Sequence, residues 1–409
     1  MDLLPFESAL KLVLNSVNRT TALERLPLEL AIGRILAEDV KATFNYPIFD
    51  NSAMDGFALK SGDTKNATPE NPVVLEIAGE ISAGEFCENP LEEGKAYKIF
   101  TGAPLPPGAD AVIEIEKVEV ECNKVYIKEP VKSGSNVRKA GSYAKLGEVI
   151  AQKGEELTPG KIGVLASFGI GYVLTYSRPK VAIVSTGSEL REPCHPLLKP
   201  GQIYNSNSYA LTTAVNQNGG LATNLGSVED DYQRLREFLK DTLYESDIYI
   251  TTGGVSMGEK DFIKLLVKEL GIDVKFHKVR IKPGKPTLFG TYDNGRRLFF
   301  GLPGNPVSAL VNFYLFVYPA IRKLQGAKEL FKPKVRAILT QDFKRKNAQR
   351  REYIRVKVTF GEDGTVYAQP YKNTSSGDML SMGFANGVAV IYEGVKEVKK
   401  GQTVEVILF

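Results

Sequence analysis

The spacing of apolar residues changes character from one region of the chain to the next. Leu3, Phe6, Leu10 and Leu14 recur at helical intervals, with Pro5 suited to a first turn, and a second helix is predicted over 28–37. Between 45 and 144 short β-rich runs take over (73–78, 96–101, 111–120, 124–127), separated by Gly and Pro turns, which predicts a small β-rich domain. Residues 145–177 return to a mixed character. The expectation is one N-terminal helical and mixed domain, 1–44 plus 145–177, with the β-rich domain 45–144 inserted in it.

From 178 to 326 the pattern becomes a regular alternation. Apolar strands at 181–185, 221–227, 247–252 and 297–301 are interleaved with amphipathic helices at 208–218, 231–244, 261–270 and 306–324. That order predicts a doubly wound α/β domain, mostly parallel, with ligands beyond the carboxyl ends of its strands. Residues 327–409 carry short strands at 335–339, 354–360, 366–370, 388–391 and 404–408, the pattern of a small β-barrel.

Composition removes several function classes. The chain has 409 residues, 43% hydrophobic and 24% charged, so it is neither disordered nor fibrous. A net charge of +4 argues against a protein built to coat nucleic acid. Three Cys with no CxxC pair, and two His, make a disulfide framework or a zinc site a poor reading. The adjacent Cys194 and His195 do not read as a catalytic dyad. Asp2 and Glu7 interrupt the N-terminal apolar pattern, so no signal peptide is expected. The longest apolar stretch, 309–321, is broken by Asn312 and Pro319 and is too short for a bilayer. The expectation is a reduced, cytoplasmic protein without membrane or nucleic-acid partners.

Candidate chemistry sits at the strand ends of the α/β region. Thr251-Thr252-Gly253-Gly254-Val255-Ser256-Met257-Gly258-Glu259-Lys260-Asp261 follows one strand and precedes a helix. Its glycines let backbone approach a ligand closely, although GxxxxGK[ST] is absent. A tight turn with Asp261 as helix cap would explain the same residues. In Lys278-Val279-Arg280-Ile281-Lys282-Pro283-Gly284-Lys285-Pro286, an extended backbone would put Lys278, Arg280 and Lys282 on one face, suited to an oxyanion or phosphate; an edge strand guarded by Lys is the plainer alternative. Gly301-Leu302-Pro303-Gly304-Asn305-Pro306-Val307-Ser308 places Asn305 at a cap and Pro306 at the first helical position. Glu189, Asp230 and Asp261 each follow a strand of the same sheet, a set suited to Mg²⁺ and a phosphate-bearing ligand, and Asp230 with Gln233 would also make a capping box. No Ser-His-Asp or Cys-His set is present for covalent catalysis.

Across its whole length the chain resembles the MoeA family of molybdopterin molybdenumtransferases, related to the E domain of gephyrin. The resemblance rests on Phe49-Asp50-Asn51-Ser52-Ala53-Met54-Asp55-Gly56-Phe57-Ala58, Thr101-Gly102-Ala103, Ser185-Thr186-Gly187-Ser188-Glu189-Leu190 and the three motifs above, in order. It implies insertion of molybdate into adenylylated molybdopterin, with Mg²⁺-dependent hydrolysis of the adenylyl group and release of AMP and molybdenum cofactor. It also implies a MogA-like central domain and a homodimer with each active site between subunits. A MogA-type adenylyltransferase and recipient molybdoenzymes would be further partners.

Carried over residue by residue, the resemblance makes Asp55 and Thr101 contributions of the partner subunit. Glu189, Asp230 and Asp261 become metal ligands, or acids oriented by metal. Gly253, Gly254 and Ser256 would line the substrate site, Lys278 and Lys282 would bind molybdate or phosphate oxygens, and Pro303 and Pro306 would shape the pocket. Arg355 and Ser376 would reach in from the barrel. One departure stands out. Where family members often carry Arg-x-x-Gly-Glu-Asp, this chain has Arg138-Lys139-Ala140-Gly141-Ser142-Tyr143. An adenylyltransferase would need only the α/β domain. A scaffold of the gephyrin type would need a groove for a partner peptide and a fused N-terminal domain, and intact Asp261, Lys278 and Lys282 favour catalysis.

Overall fold

Continuous apolar runs, rather than alternating ones, build the centre of the larger of two units. In the computed structural model, which describes residues 3–194, 197–254 and 262–409, the units are Met1–Glu38, Gly154–Thr158 and Tyr172–Phe409, and Asp39–Lys153 with Pro159–Gly171.

The first unit holds a six-stranded sheet in the order Leu221–Val228, Lys180–Thr186, Ile248–Thr252, Arg297–Leu302, Leu288–Tyr292, Asp273–Phe276. The first four are parallel; Leu288–Tyr292 runs antiparallel to Arg297–Leu302, and Asp273–Phe276 antiparallel to Leu288–Tyr292. Ile250 lies between Ile183 and Phe300 in register, and every residue of Ile248–Thr252 is buried, as a strand covered on both faces requires. One face packs Ile183, Ile250 and Phe300 against Leu211 and Val215 of helix Asn207–Gln217 and against the helical segment beginning at Pro306. The other packs Val184, Tyr249 and Phe299 against Leu235 and Leu239 of helix Tyr232–Thr242 and Leu266 of helix Phe262–Glu269. The α/β domain is therefore doubly wound, as its pattern predicts. Each fully buried aliphatic or aromatic side chain contributes about 1.5–3 kcal/mol.

Three local expectations are corrected. The 28–37 stretch is not a helix: a single 3₁₀ turn at Leu28–Leu30 ends at Ala31, and Gly33 takes a φ of 70° two residues later. Ile35 then bridges Glu156, so helical spacing there reflects burial against extended chain. The cap of Tyr232–Thr242 is Asp231, accepting from the Arg234 N–H at 2.9 Å, and not an Asp230–Gln233 box. The 306–324 helix is three segments, Pro306–Asn312, a π-turn at Phe313–Val317 and Tyr318–Leu324. Pro319 has no N–H to return to Leu315, and the wider turn lies just before it.

The C-terminal strands close into a five-stranded barrel: Arg351–Phe360 pairs with both Val366–Pro370 and Gly387–Ile391, and Lys334–Leu339 and Thr403–Leu408 complete the ring. A two-residue strand, Ile281–Lys282, leaves the α/β domain and pairs in parallel with Arg351–Phe360, setting Lys282 beside Glu352. The loop after it is tied down by buried Asn312. Its Oδ1 accepts from Thr287 Oγ1 at 2.9 Å, and its amide N–H donates to the Ser308 carbonyl at 2.8 Å.

The second unit is a mixed six-stranded sheet in the order Ala111–Glu114, Gly56–Leu59, Lys95–Ile99, Val73–Ile81, Lys124–Ile127, Val118–Glu121. Phe57, Leu59 and Ile113 fill one side; Ala58, Ile99 and Val112 fill the other. Among the described residues no helix is long and apolar enough to cross a membrane.

Two stability predictions follow from this packing. Asn312→Ala strands the buried Thr287 hydroxyl network and should destabilise the protein by about 1–3 kcal/mol, read as a lower urea midpoint. Gly253, at the end of the central strand, has a φ of 95°, and a Cβ there would lie 2.3 Å from the Thr186 carbonyl oxygen. Gly253→Ala should therefore cost about 1–3 kcal/mol or more, measured the same way; an unchanged midpoint would contradict the close approach.

Candidate functional site

Two recesses adjoin at the carboxyl ends of the central strands, sharing Asn305 in their walls. The first, of about 420 Å³, is basic. Lys282, Lys285, Arg350 and Arg355 line it with Pro303 and Ser376, and Glu352 is its carboxylate. The pairing of Ile281–Lys282 with the barrel strand brings Lys282 and Arg355 from different domains to one wall. Arg355 is almost wholly buried. Its Nη2 donates to the Asn373 carbonyl at 2.5 Å, while its buried Nε has no partner among the described groups. Burial pushes its guanidinium below the usual value, with Asp378 opposing, although an Arg remains charged. Ser376 is held from the helix side: the Val307 N–H donates to its carbonyl at 3.2 Å.

The second recess, of about 600 Å³, has the acidic rim. Glu189, Asp230, Gly253, Gly254 and Pro306 all line it. Two asparagines unnoticed in the sequence hold its floor. Asn207 Nδ2 donates to Thr252 Oγ1 at 2.8 Å and to the Gly304 carbonyl at 2.7 Å, tying two strand-end loops together. Asn205 Oδ1 accepts from Ser185 Oγ at 2.8 Å, and its amide donates to Glu192. Their signal was a short polar run, Asn205-Ser206-Asn207, opening a helix beside the ligand edge. The Asp230 N–H donates to Ser188 Oγ at 3.1 Å, so the motif after the first strand anchors the backbone that carries Asp230.

Within the other unit, Asp55 and Thr101 meet directly. The Thr101 hydroxyl and backbone N–H each donate to Asp55 Oδ1 at 2.7 Å. These two hydrogen bonds, the hydroxyl first, hold the exposed Asp55 carboxyl below its ordinary range. Gly56 follows because only glycine fits there: a Cβ would lie 1.9 Å from the Ile113 carbonyl oxygen. Ser142-Tyr143, in place of the acidic pair, forms part of a turn. The Tyr143 N–H donates to the Tyr46 carbonyl at 2.9 Å, and the two rings sit 5.9 Å apart.

The remaining candidates separate. Ser256 and Asp261 lie outside the described residues, as does His195. Lys278 is half-buried and outside the lining of both recesses; its carbonyl accepts from the Leu4 N–H. Among the described residues no group of three or more His, Cys, Asp or Glu is gathered to hold a metal, which leaves Glu189 and Asp230 as the acidic pair of one recess. Arg350, Lys285 and Glu352 join the site as well; of these only Lys285 lies within a motif quoted from the sequence.

Comparison with known proteins shows the family. Residues 4–169 match a family model described as the MoeA N-terminal region (domain I and II), 182–323 a probable molybdopterin binding domain, and 336–409 the MoeA C-terminal region (domain IV). A molybdopterin molybdenumtransferase from Nostoc sp. is 36% identical over 385 residues, covering 94% of this chain and 88% of its own. One from Bacillus subtilis is 36% identical over 389 residues, covering 94% and 89%. The crystal structure of a molybdopterin biosynthesis MoeA protein from Pyrococcus horikoshii superposes with a TM-score of 0.87 at 35% identity, over the whole of both chains. With family models spanning most of its length and relatives of this identity, the chain belongs to the MoeA family.

Proposed function

We propose that this transferase of molybdenum cofactor biosynthesis inserts molybdate into adenylylated molybdopterin, with Mg²⁺-dependent hydrolysis of the adenylyl group and release of AMP. The observation that carries the reading is the pair of adjoining recesses of opposite character. A tetrahedral dianion suits the basic recess, where Lys282 and Arg355 supply charge-assisted donors. The larger, acidic-rimmed recess suits the bulkier pterin nucleotide. Neighbouring recesses would hold the two reactants together, and positioning of that kind lowers a barrier without a covalent intermediate. The substrate dithiolene brings its own sulfur ligands, so the absence of Cys from either lining is no obstacle.

The lining of the acidic recess fits Mg²⁺. Among the described residues its carboxylates are those of Glu189 and Asp230 and it has no His or Cys, the donor set of a hard cation. Glu189 and Asp230, with Asp261 as a further candidate, would hold the ion, which neutralises phosphate charge when bound. Ser188 and Asn207 keep the recess in shape through the bonds described above.

The same reading makes Asp55 and Thr101 the partner subunit's contribution within a homodimer. The mutual hydrogen bonds of that pair support a pre-set carboxylate. Ser256 and Lys278 complete the substrate-binding set, and the four-region layout, a cytoplasmic location, a MogA-type supplier of substrate and recipient molybdoenzymes belong to the same proposal.

Three measurements test it. Purified protein given adenylylated molybdopterin, Mg²⁺ and molybdate should release AMP in a molybdate-dependent way; AMP release indifferent to molybdate would contradict insertion. Lys282→Ala should raise the molybdate concentration needed for half-maximal rate about 10–100-fold, the worth of one charge-assisted hydrogen bond at about 1.5–3 kcal/mol. Thr101→Ala removes the larger of the two stabilising bonds to Asp55, so the pKa of that carboxyl should rise toward the ordinary range. An NMR titration of Asp55 that does not move would show that Thr101 does not set its charge.

A further inference from the structure

We propose that Glu352 determines oxyanion specificity by positioning Lys282, so that the basic recess takes an anion of molybdate's size and resists smaller tetrahedral dianions such as sulfate. The inference rests on the reading of that recess as the oxyanion site.

A carboxylate in a pocket meant for anions needs a reason. Glu352 is buried in the wall of the recess and lowers its attraction for every anion. It is not a stray surface charge: its side chain is 4% exposed, against 42% for Lys282. Glu352 Oε1 forms an ion pair with Lys282 Nζ at 2.8 Å, and the strand register puts the two residues side by side in a parallel pair. Behind it, Arg345 approaches Glu352 Oε2 at 3.4 Å with a side chain only 3% exposed. Arg345 is itself anchored on backbone, donating to the carbonyls of Val395 at 2.7 Å, Arg350 at 2.8 Å and Tyr392 at 2.5 Å. The ammonium of Lys282 is therefore held by a carboxylate, which is held by a guanidinium, which is held by the barrel's own chain.

What the clamp does follows from the chemistry of lysine. An unrestrained ammonium on a four-carbon stem is a mobile point charge that closes on an anion of any size. A fixed ammonium and the buried Arg355, which line the same recess, set a span. An anion that fills the span meets both donors, while a smaller one reaches one and misses the other. Sulfate and molybdate share charge and shape and differ mainly in bond length, so a held span is a direct physical means of telling them apart. Loss of one charge-assisted contact is enough for about tenfold discrimination.

The test is calorimetric titration with molybdate, and sulfate competition against it, at fixed ionic strength on the full-length protein. In Glu352→Gln, Arg345 keeps its three carbonyl partners while Lys282 is released. Sulfate should bind about tenfold more tightly and molybdate should change less than about threefold, so the selectivity ratio collapses. Glu352→Asp keeps the charge but not the reach; it should lose selectivity too, and it carries the test if the Gln variant does not fold. An unchanged ratio in either folded variant, or equal weakening of both anions, would overturn the proposal. Lys282→Ala separates the two levels. If it leaves molybdate binding intact, the recess is not the oxyanion site and both readings fall. If it weakens binding while the Glu352 variants keep their selectivity, only the role of Glu352 falls.

Discussion

The short parallel pairing of Ile281–Lys282 with the barrel strand Arg351–Phe360 is the constraint on which the site depends. Without it the α/β domain would offer a ligand edge of glycine loops and carboxylates but few fixed cations. The pairing carries one lysine out of the α/β domain and sets it against a barrel strand that supplies Glu352 and Arg355. Asn312 then secures the loop that follows, using a buried amide on the helical segment after strand Arg297–Leu302. The basic recess is thus a product of two domains meeting in register.

Charge is distributed along this edge with a clear division. The cations gather where barrel and α/β domain join, and the carboxylates Glu189 and Asp230 sit across Asn305 in the neighbouring recess. Several of these elements are held by groups that do not titrate: Asp230 by a backbone bond to Ser188, the loops by Asn207, Arg355 by a carbonyl. Fixed dipoles and charges of this kind need no reorganisation when a charged substrate arrives. In the second unit, Asp55 shows the same economy on a smaller scale, with one residue, Thr101, donating twice.

Much of the architecture was legible in the sequence because burial left a periodic trace. The central strands read as apolar runs and their helices as amphipathic ones, so the doubly wound sheet and the barrel strands were visible. The same logic misled at 28–37, where apolar residues at helical spacing are buried against extended chain and Gly33 breaks the turn. The antiparallel strands Asp273–Phe276 and Leu288–Tyr292 left too short a pattern to stand out. Of the site, the motifs at strand ends were legible, since glycine, proline and acidic residues cluster there. Asn205, Asn207, Arg345 and Glu352 were not, because their roles are contacts between segments far apart in the chain. No local pattern marks which lysine of Lys278, Lys282 and Lys285 will meet a glutamate from the barrel.

The central claim is that the basic recess between the α/β domain and the barrel is where molybdate sits. Anomalous diffraction at the molybdenum absorption edge, on crystals of this protein soaked in molybdate, addresses it directly. The account predicts a molybdenum peak within contact of Lys282 and Arg355, in the recess walled by Pro303 and Ser376. A peak in the acidic-rimmed recess beside Glu189 and Asp230, with the basic recess empty, would contradict it.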